Sequence, residues 1–184
     1  MEPKIKTLKK TVPVKEFCER FLDSERFGVA CSRCPGYGMT WACPPYDFDI
    51  LELWMSYKAL MLYAKKVLVP DEMRMQKLSP DEITAAYDSL LGPVKTDLLN
   101  ELFVFEGKFE GAMALSVGGC GLCHECTRKL GEACRFPERK RFSIESLGGD
   151  VGGCLDHYFG EKLLWTENGI LPEYFVIMGG LLMK

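Results

Sequence analysis

Apolar positions in this chain recur at two different periods, and the switches between them outline the elements. Residues 13–23 place Val14, Phe17, Cys18, Phe21 and Leu22 at helical spacing, with Pro13 suited to a first-turn position. Residues 27–46 break the pattern. There Pro35, Gly36, Gly38, Pro44 and Pro45 leave no room for a long regular element, so a loop folded around something is expected. Asp47 or Asp49 can cap a helix over 50–57, and 59–70 reads as a strand ending at Pro70. Ser79, Pro80 and Glu82 form a reciprocal capping pattern that predicts a helix to about Leu91. Gly92 and Pro93 then separate it from a second helix over 94–110, whose Val94, Leu98, Leu99, Leu102, Phe105 and Phe109 keep near one stripe. A short strand over 112–119, helical turns over 143–147 and 151–165, and a terminal strand over 173–183 follow. Residues 1–12 are basic and suggest no element.

This succession predicts one α/β or α+β domain over 1–184, a single compact metal-binding domain with a small mixed sheet, flanking helices and cysteine-rich loops at 27–46 and 118–142. With 184 residues, 47% hydrophobic and 27% charged, the chain can bury a sizeable core without disulfides. Its net charge of −3 argues against polyanion binding, so no nucleic-acid partner is expected. No apolar run follows the basic N-terminus to make a signal peptide. Residues 170–183, interrupted by Pro172, Glu173 and two glycines, fall short of the roughly 20 residues a bilayer span requires. A cytoplasmic protein without membrane association is expected. In that reducing setting an odd count of nine cysteines points to metal rather than disulfides.

Cys120, Cys123, Cys126 and Cys134 read CxxCxxC followed by a fourth cysteine within one short loop. A cubane iron–sulfur cluster takes one thiolate per iron, and this spacing wraps three sulfurs around one face, with Cys134 supplying the fourth. A 4Fe–4S cluster is therefore expected there. Glycines 118, 119, 121 and 131 allow close backbone approach, so that amide N–H groups can donate to cluster sulfurs. Structural zinc competes, since it also accepts four thiolates, but zinc sites more typically pair two separated CxxC knuckles. His124 lies between two of the cysteines and is expected to face solvent rather than bind metal. The basic run 135–141 reads either as a solvated turn or as a patch for an acidic redox partner or anionic substrate.

Cys31, Cys34 and Cys43 form the first group, interleaved with Tyr37, Trp41, Tyr46 and Phe48, which can shield a metal from water. Three thiolates leave one position open. A second cluster could be completed by Cys154, by Cys18 or by a non-cysteine group. It could also keep an open iron for substrate or sulfide. A single zinc ion or a metal-free loop are the other readings. Cys18 sits on an apolar helical face, where a free cysteine is usually a small hydrophobe. With only two histidines, His124 and His157, and no GxSxG, Walker A or HExxH motif, hydrolase readings have little support.

Residues 31–46, CxxCPxYGxxWxCPPY, and 120–151, CGLCxxCxxxxGxxCRFPExxRxSxExLGxDV, together resemble a family of unknown function described as predicted metal-binding proteins. The resemblance implies metal or iron–sulfur binding in cytosolic proteins, commonly of anaerobic bacteria and archaea. It carries over to Cys31, Cys34, Cys43, Cys120, Cys123, Cys126 and Cys134. The expected function is electron transfer to or from a redox-partner protein. An iron–sulfur enzyme acting on a small-molecule substrate and a zinc-stabilised binding module are the alternatives.

Overall fold

A computed structural model describes residues 3–184. Strands β1 (Ile5–Pro13), β2 (Ala59–Leu68), β3 (Met113–Leu115) and β4 (Tyr174–Met183) form one sheet in the order β1-β2-β4-β3. Each of its three pairings is antiparallel, so the expected mixed sheet is antiparallel, apart from an isolated parallel bridge between Ser116 and Ser143 beside β3. Among the described residues there are six α-helices: α1 (Val14–Phe21), α2 (Ser24–Ser32), α3 (Ile50–Met55), α4 (Asp71–Arg74), α5 (Pro80–Glu106) and α6 (Val151–Phe159). Among the described residues no helix is long and apolar enough to cross a membrane.

The two central strands are apolar on both faces, and alternation along them sorts the core into two layers. Leu60, Leu62 and Ala64 of β2, with Val176, Met178 and Leu182 of β4, pack against Phe17 of α1, Trp54 of α3 and Leu155 of α6. Met61, Tyr63 and Val67, with Ile177 and Leu181, meet Val94, Leu98 and Leu102 of α5 on the opposite face. Ala42 and Phe142, from the two cysteine-rich loops, belong to the first layer, and Cys120 packs against it. The sheet thus gives one face to a single long helix and the other to three short helices and both loops.

The structure departs from the sequence pattern at β1, along α5, and at α2, which takes up the start of the loop expected over 27–46. β1 lacked a recognisable signature because it is an edge strand with only two buried positions, Leu8 and Val12, set among lysines and threonines. The helices expected over 79–91 and 94–110 are one continuous α5, with Pro93 inside it. Its buried residues Ala86, Leu90, Val94, Leu98 and Leu102 share one face across the proline, and that packing outweighs the lost backbone donor. Phe109 lies beyond the helix end and is exposed. The remaining strand and helix expectations are met with shorter bounds. α6, for example, stops at Phe159, where Gly160 takes the left-handed conformation of a helix C-terminus.

Gly179 marks the closest approach of α5 to the sheet. A Cβ there would come within 2.6 Å of the Leu115 carbonyl oxygen, 2.9 Å of Leu102 and 3.2 Å of Leu98. Gly179→Ala is expected to lower unfolding free energy by about 1–3 kcal/mol through overpacking, read as a lower urea midpoint at unchanged slope. An unchanged midpoint would show that α5 is not seated here.

Candidate metal centre

β3 delivers the chain to the second cysteine group, and the loop returns to the same place. Ser116 donates its backbone N–H to the Phe142 carbonyl at 2.7 Å, and its hydroxyl to the Gly118 and Arg141 carbonyls at 3.1 and 3.3 Å. Arg141 reaches from this neck to Glu106 at the end of α5, forming a largely buried ion pair at 2.7 Å. Glu106 also accepts the Ala114 N–H at 2.7 Å. A loop of more than twenty residues with almost no core of its own is thereby closed at its base. Within it Cys120, Cys123, Cys126 and Cys134 are all partly buried, and all four line one cavity of about 150 Å³. Gly118, Gly121 and Gly131 have φ near +70°, a left-handed backbone that favours glycine.

The first group starts on a helix rather than in a loop, which corrects the expectation for 27–46. Asp23 caps α2 by accepting the Arg26 N–H at 2.9 Å, and Cys31 falls in the last turn. The helix escaped notice because none of its residues is buried, so no apolar stripe marks it. Beyond it a series of tight turns folds the chain back: Cys34 N–H to the Cys31 carbonyl at 2.9 Å, Tyr37 N–H to Cys34 at 3.0 Å, and Gly38 N–H to Pro44 at 2.8 Å. Gly36 sits between two sulfurs, where a Cβ would lie 3.4 Å from Cys43 Sγ and 3.7 Å from Cys34 Sγ, and its own N–H is 3.5 Å from Cys34 Sγ. Cys31, Cys34 and Cys43 line a second cavity of about 210 Å³ together with Tyr37, Gly118, Gly119 and Glu145. Burial raises the pKa of the Cys31 thiol, and negative charge on Cys43, Cys34 and Glu145 raises it further. Glu145 is itself pushed up by burial, against the opposing hydrogen bonds of its own backbone and of the Ser143 hydroxyl.

The two loops are locked to one another. Arg128 of the second loop donates to the carbonyl oxygens of Thr40, Cys43 and Pro45 at 2.8, 2.5 and 2.5 Å. Its guanidinium also lies over the Trp41 ring at 5.1 Å, while Trp41 Nε1 donates to the Glu132 carbonyl at 3.0 Å. Residues 40–43 consequently form a shared wall. Thr40, Trp41 and Ala42 face the second cavity, Cys43 faces the first, and Gly119 and Cys120 divide in the same way. Of the four interleaved aromatics, Tyr37 lines the first cavity and Trp41 the second. Tyr46 and Phe48 stack on each other and meet Phe142 edge-on, so they join loop to core.

Neither Cys18 nor Cys154 lines either cavity. Cys154 is fully buried in the main core, where burial strongly raises its pKa, and Cys18 packs against that core with its thiol raised to about 11. His124 borders the second cavity but is exposed, and His157 lies on the surface against Phe21 and Tyr158. The basic run is divided: Arg135 donates to the Glu125 carbonyl at 3.1 Å, Arg141 is paired with Glu106, and Lys140 lies on the rim of the second cavity. Two residues that bear on the site were not singled out from the sequence: Arg128 falls at an unspecified position of the 120–151 motif, whereas Glu145 is one of its spelled-out residues without an assigned role.

Chemically, each cavity gathers soft donors that bind a metal as thiolates. Among the described residues, however, no three His, Cys, Asp or Glu side chains converge closely enough to hold one ion. Arg128→Ala removes three hydrogen bonds from a charged donor, each worth about 1.5–3 kcal/mol less any water that replaces it. It is expected to make the 33–46 segment susceptible to limited proteolysis while the sheet stays folded by circular dichroism. Protection equal to wild type would show that the loops hold without this contact.

No curated protein matches the chain, and no solved structure does so either. The family model described as Predicted metal-binding protein (DUF2284) matches residues 19–183, nearly the full length, and the chain belongs to this family of predicted metal-binding proteins of unknown function.

Proposed function

We propose that this chain is an iron–sulfur protein that passes single electrons to or from a partner. A 4Fe–4S cluster would be held by Cys120, Cys123, Cys126 and Cys134, and a second centre by the Cys31, Cys34 and Cys43 group. The observation that carries this reading is that all four cysteines of the second group line one small cavity in a loop closed at its neck. Four thiolates are what a cubane takes, and when bound it supplies a reversible one-electron couple. The spacing of the donors supports a cluster over zinc. Zinc sites more typically pair two separated CxxC knuckles, whereas Cys120, Cys123 and Cys126 lie within seven residues, a spacing that suits ligands spread across several irons.

The shared wall supports electron transfer. Because Ala42 and Cys43, and likewise Gly119 and Cys120, face opposite cavities, two centres would be separated by little more than a strip of backbone. Lys129 and Lys140 on the rim of the second cavity suit an acidic redox partner. Nine free thiols favour the reducing cytoplasm. The three thiols of the first group, which leave one coordination position without a thiolate, support a second reading, in which that centre also takes a small-molecule substrate. Added sulfide or thiol would then shift its visible spectrum.

Protein purified without oxygen is expected to be brown, to contain iron and acid-labile sulfide in matching amounts, and to bleach and recover on reduction and reoxidation. Cys123→Ser is expected to remove about four iron atoms per chain, the content of one cubane. Stoichiometric zinc without sulfide in a folded, colourless preparation would contradict the proposal.

A further inference from the structure

The first cysteine group has three thiols, and the fold brings a fourth donor of a different kind to the same cavity. Glu145 opens a short 3₁₀ turn, Glu145–Leu147, that packs against α2, and its side chain lines the cavity with Cys31, Cys34 and Cys43. Its Oε2 atom is shut off from solvent and has no hydrogen-bond partner. Among the described residues no ion pair involves it. A carboxylate oxygen withdrawn from water without a donor or a cation is costly, and such a group either keeps a proton or has a cation supplied to it. The cavity that it shares with Cys31, Cys34 and Cys43 brings it no Lys or Arg side chain.

We propose that Glu145 is the fourth ligand of the first centre, binding through Oε2 the coordination position that Cys31, Cys34 and Cys43 leave free. The assignment rests on the reading that this group holds a metal. It explains why neither Cys18 nor Cys154 is placed at the cavity, and why an acid with one buried, unpartnered oxygen lines it beside three thiols. A carboxylate is a harder donor than a thiolate and suits iron or zinc at a mixed sulfur–oxygen site. The metal position it covers would exchange more readily than those held by sulfur.

The test compares wild type, Glu145→Gln, Glu145→Cys and Cys34→Ala, all purified without oxygen, by metal analysis and by the rate at which a ferrous chelator removes metal. The metal that Cys34→Ala lacks defines the first centre. Glu145→Gln keeps the shape of the side chain but not its charge. It is expected to release that share at least tenfold faster, within the range that loss of one supporting interaction costs a metal site. Glu145→Cys is expected to retain the metal at least as long as wild type, with an altered visible spectrum. Release from Glu145→Gln at the wild-type rate would overturn the assignment and leave the three-thiol centre standing, with Glu145 a protonated acid. Equal loss in Glu145→Gln and Glu145→Cys would also overturn it, by showing fold damage rather than ligand removal. If Cys34→Ala carries as much metal as wild type, the first group holds none, and the underlying reading fails with the assignment.

Discussion

Arg128 donates from the second loop to three backbone carbonyls of the first, and the geometry of both cysteine groups depends on it. Residues 33–46 contribute a single fully buried side chain, Ala42, so burial alone cannot define their path. A planar guanidinium can hold several carbonyl oxygens at fixed angles, which a lysine cannot. With Thr40, Cys43 and Pro45 held from the second loop and Trp41 clasped to Glu132, residues 40–43 become a rigid partition with a cysteine cavity on either side. Neither loop would keep this shape without the other.

The sheet supplies the foundation for that partition. β3 is only three residues long, yet it fixes where the second loop begins, and the Ser116 contacts with Phe142 and Arg141 fix where it ends. The Arg141–Glu106 pair carries the same neck to the long helix on the far side of the sheet. The first loop is set by the capped start of α2, by the Asp23 N–H bond to the Gly148 carbonyl, and by Trp54 donating to the Leu147 carbonyl. Residues 143–149 are thus the common support, touching the neck of one loop and the root of the other. Glu145 stands in this segment, which is why a residue remote in sequence from Cys31 shares its cavity.

What could be read from the sequence depended on how local each cause was. The seven clustered cysteines were legible because their spacing is a short-range property, and so was the Ser79 capping box, which the structure reproduces in full. The central strands β2 and β4 were legible from continuous apolar runs. β1 was not, because its identity comes from pairing with β2 along nine residues while only Leu8 and Val12 face the core. Pro93 misled because helix-breaking is a local tendency, and the packing that overrides it comes from the sheet. The roles of Arg128 and Glu145 were beyond local reasoning, although Glu145 is a specified position of the 120–151 motif. Arg128 acts on carbonyls more than eighty residues away, and Glu145 matters only because the fold leaves one of its oxygens buried beside three thiols.

The central claim is that two metal centres stand on either side of residues 40–43. Anomalous scattering from crystals grown without oxygen, recorded on both sides of the iron absorption edge, tests it most directly. The account predicts iron signal in both cavities, one among Cys120, Cys123, Cys126 and Cys134 and the other among Cys31, Cys34 and Cys43. Cavities with no iron signal, or with signal at the zinc edge alone, would contradict it.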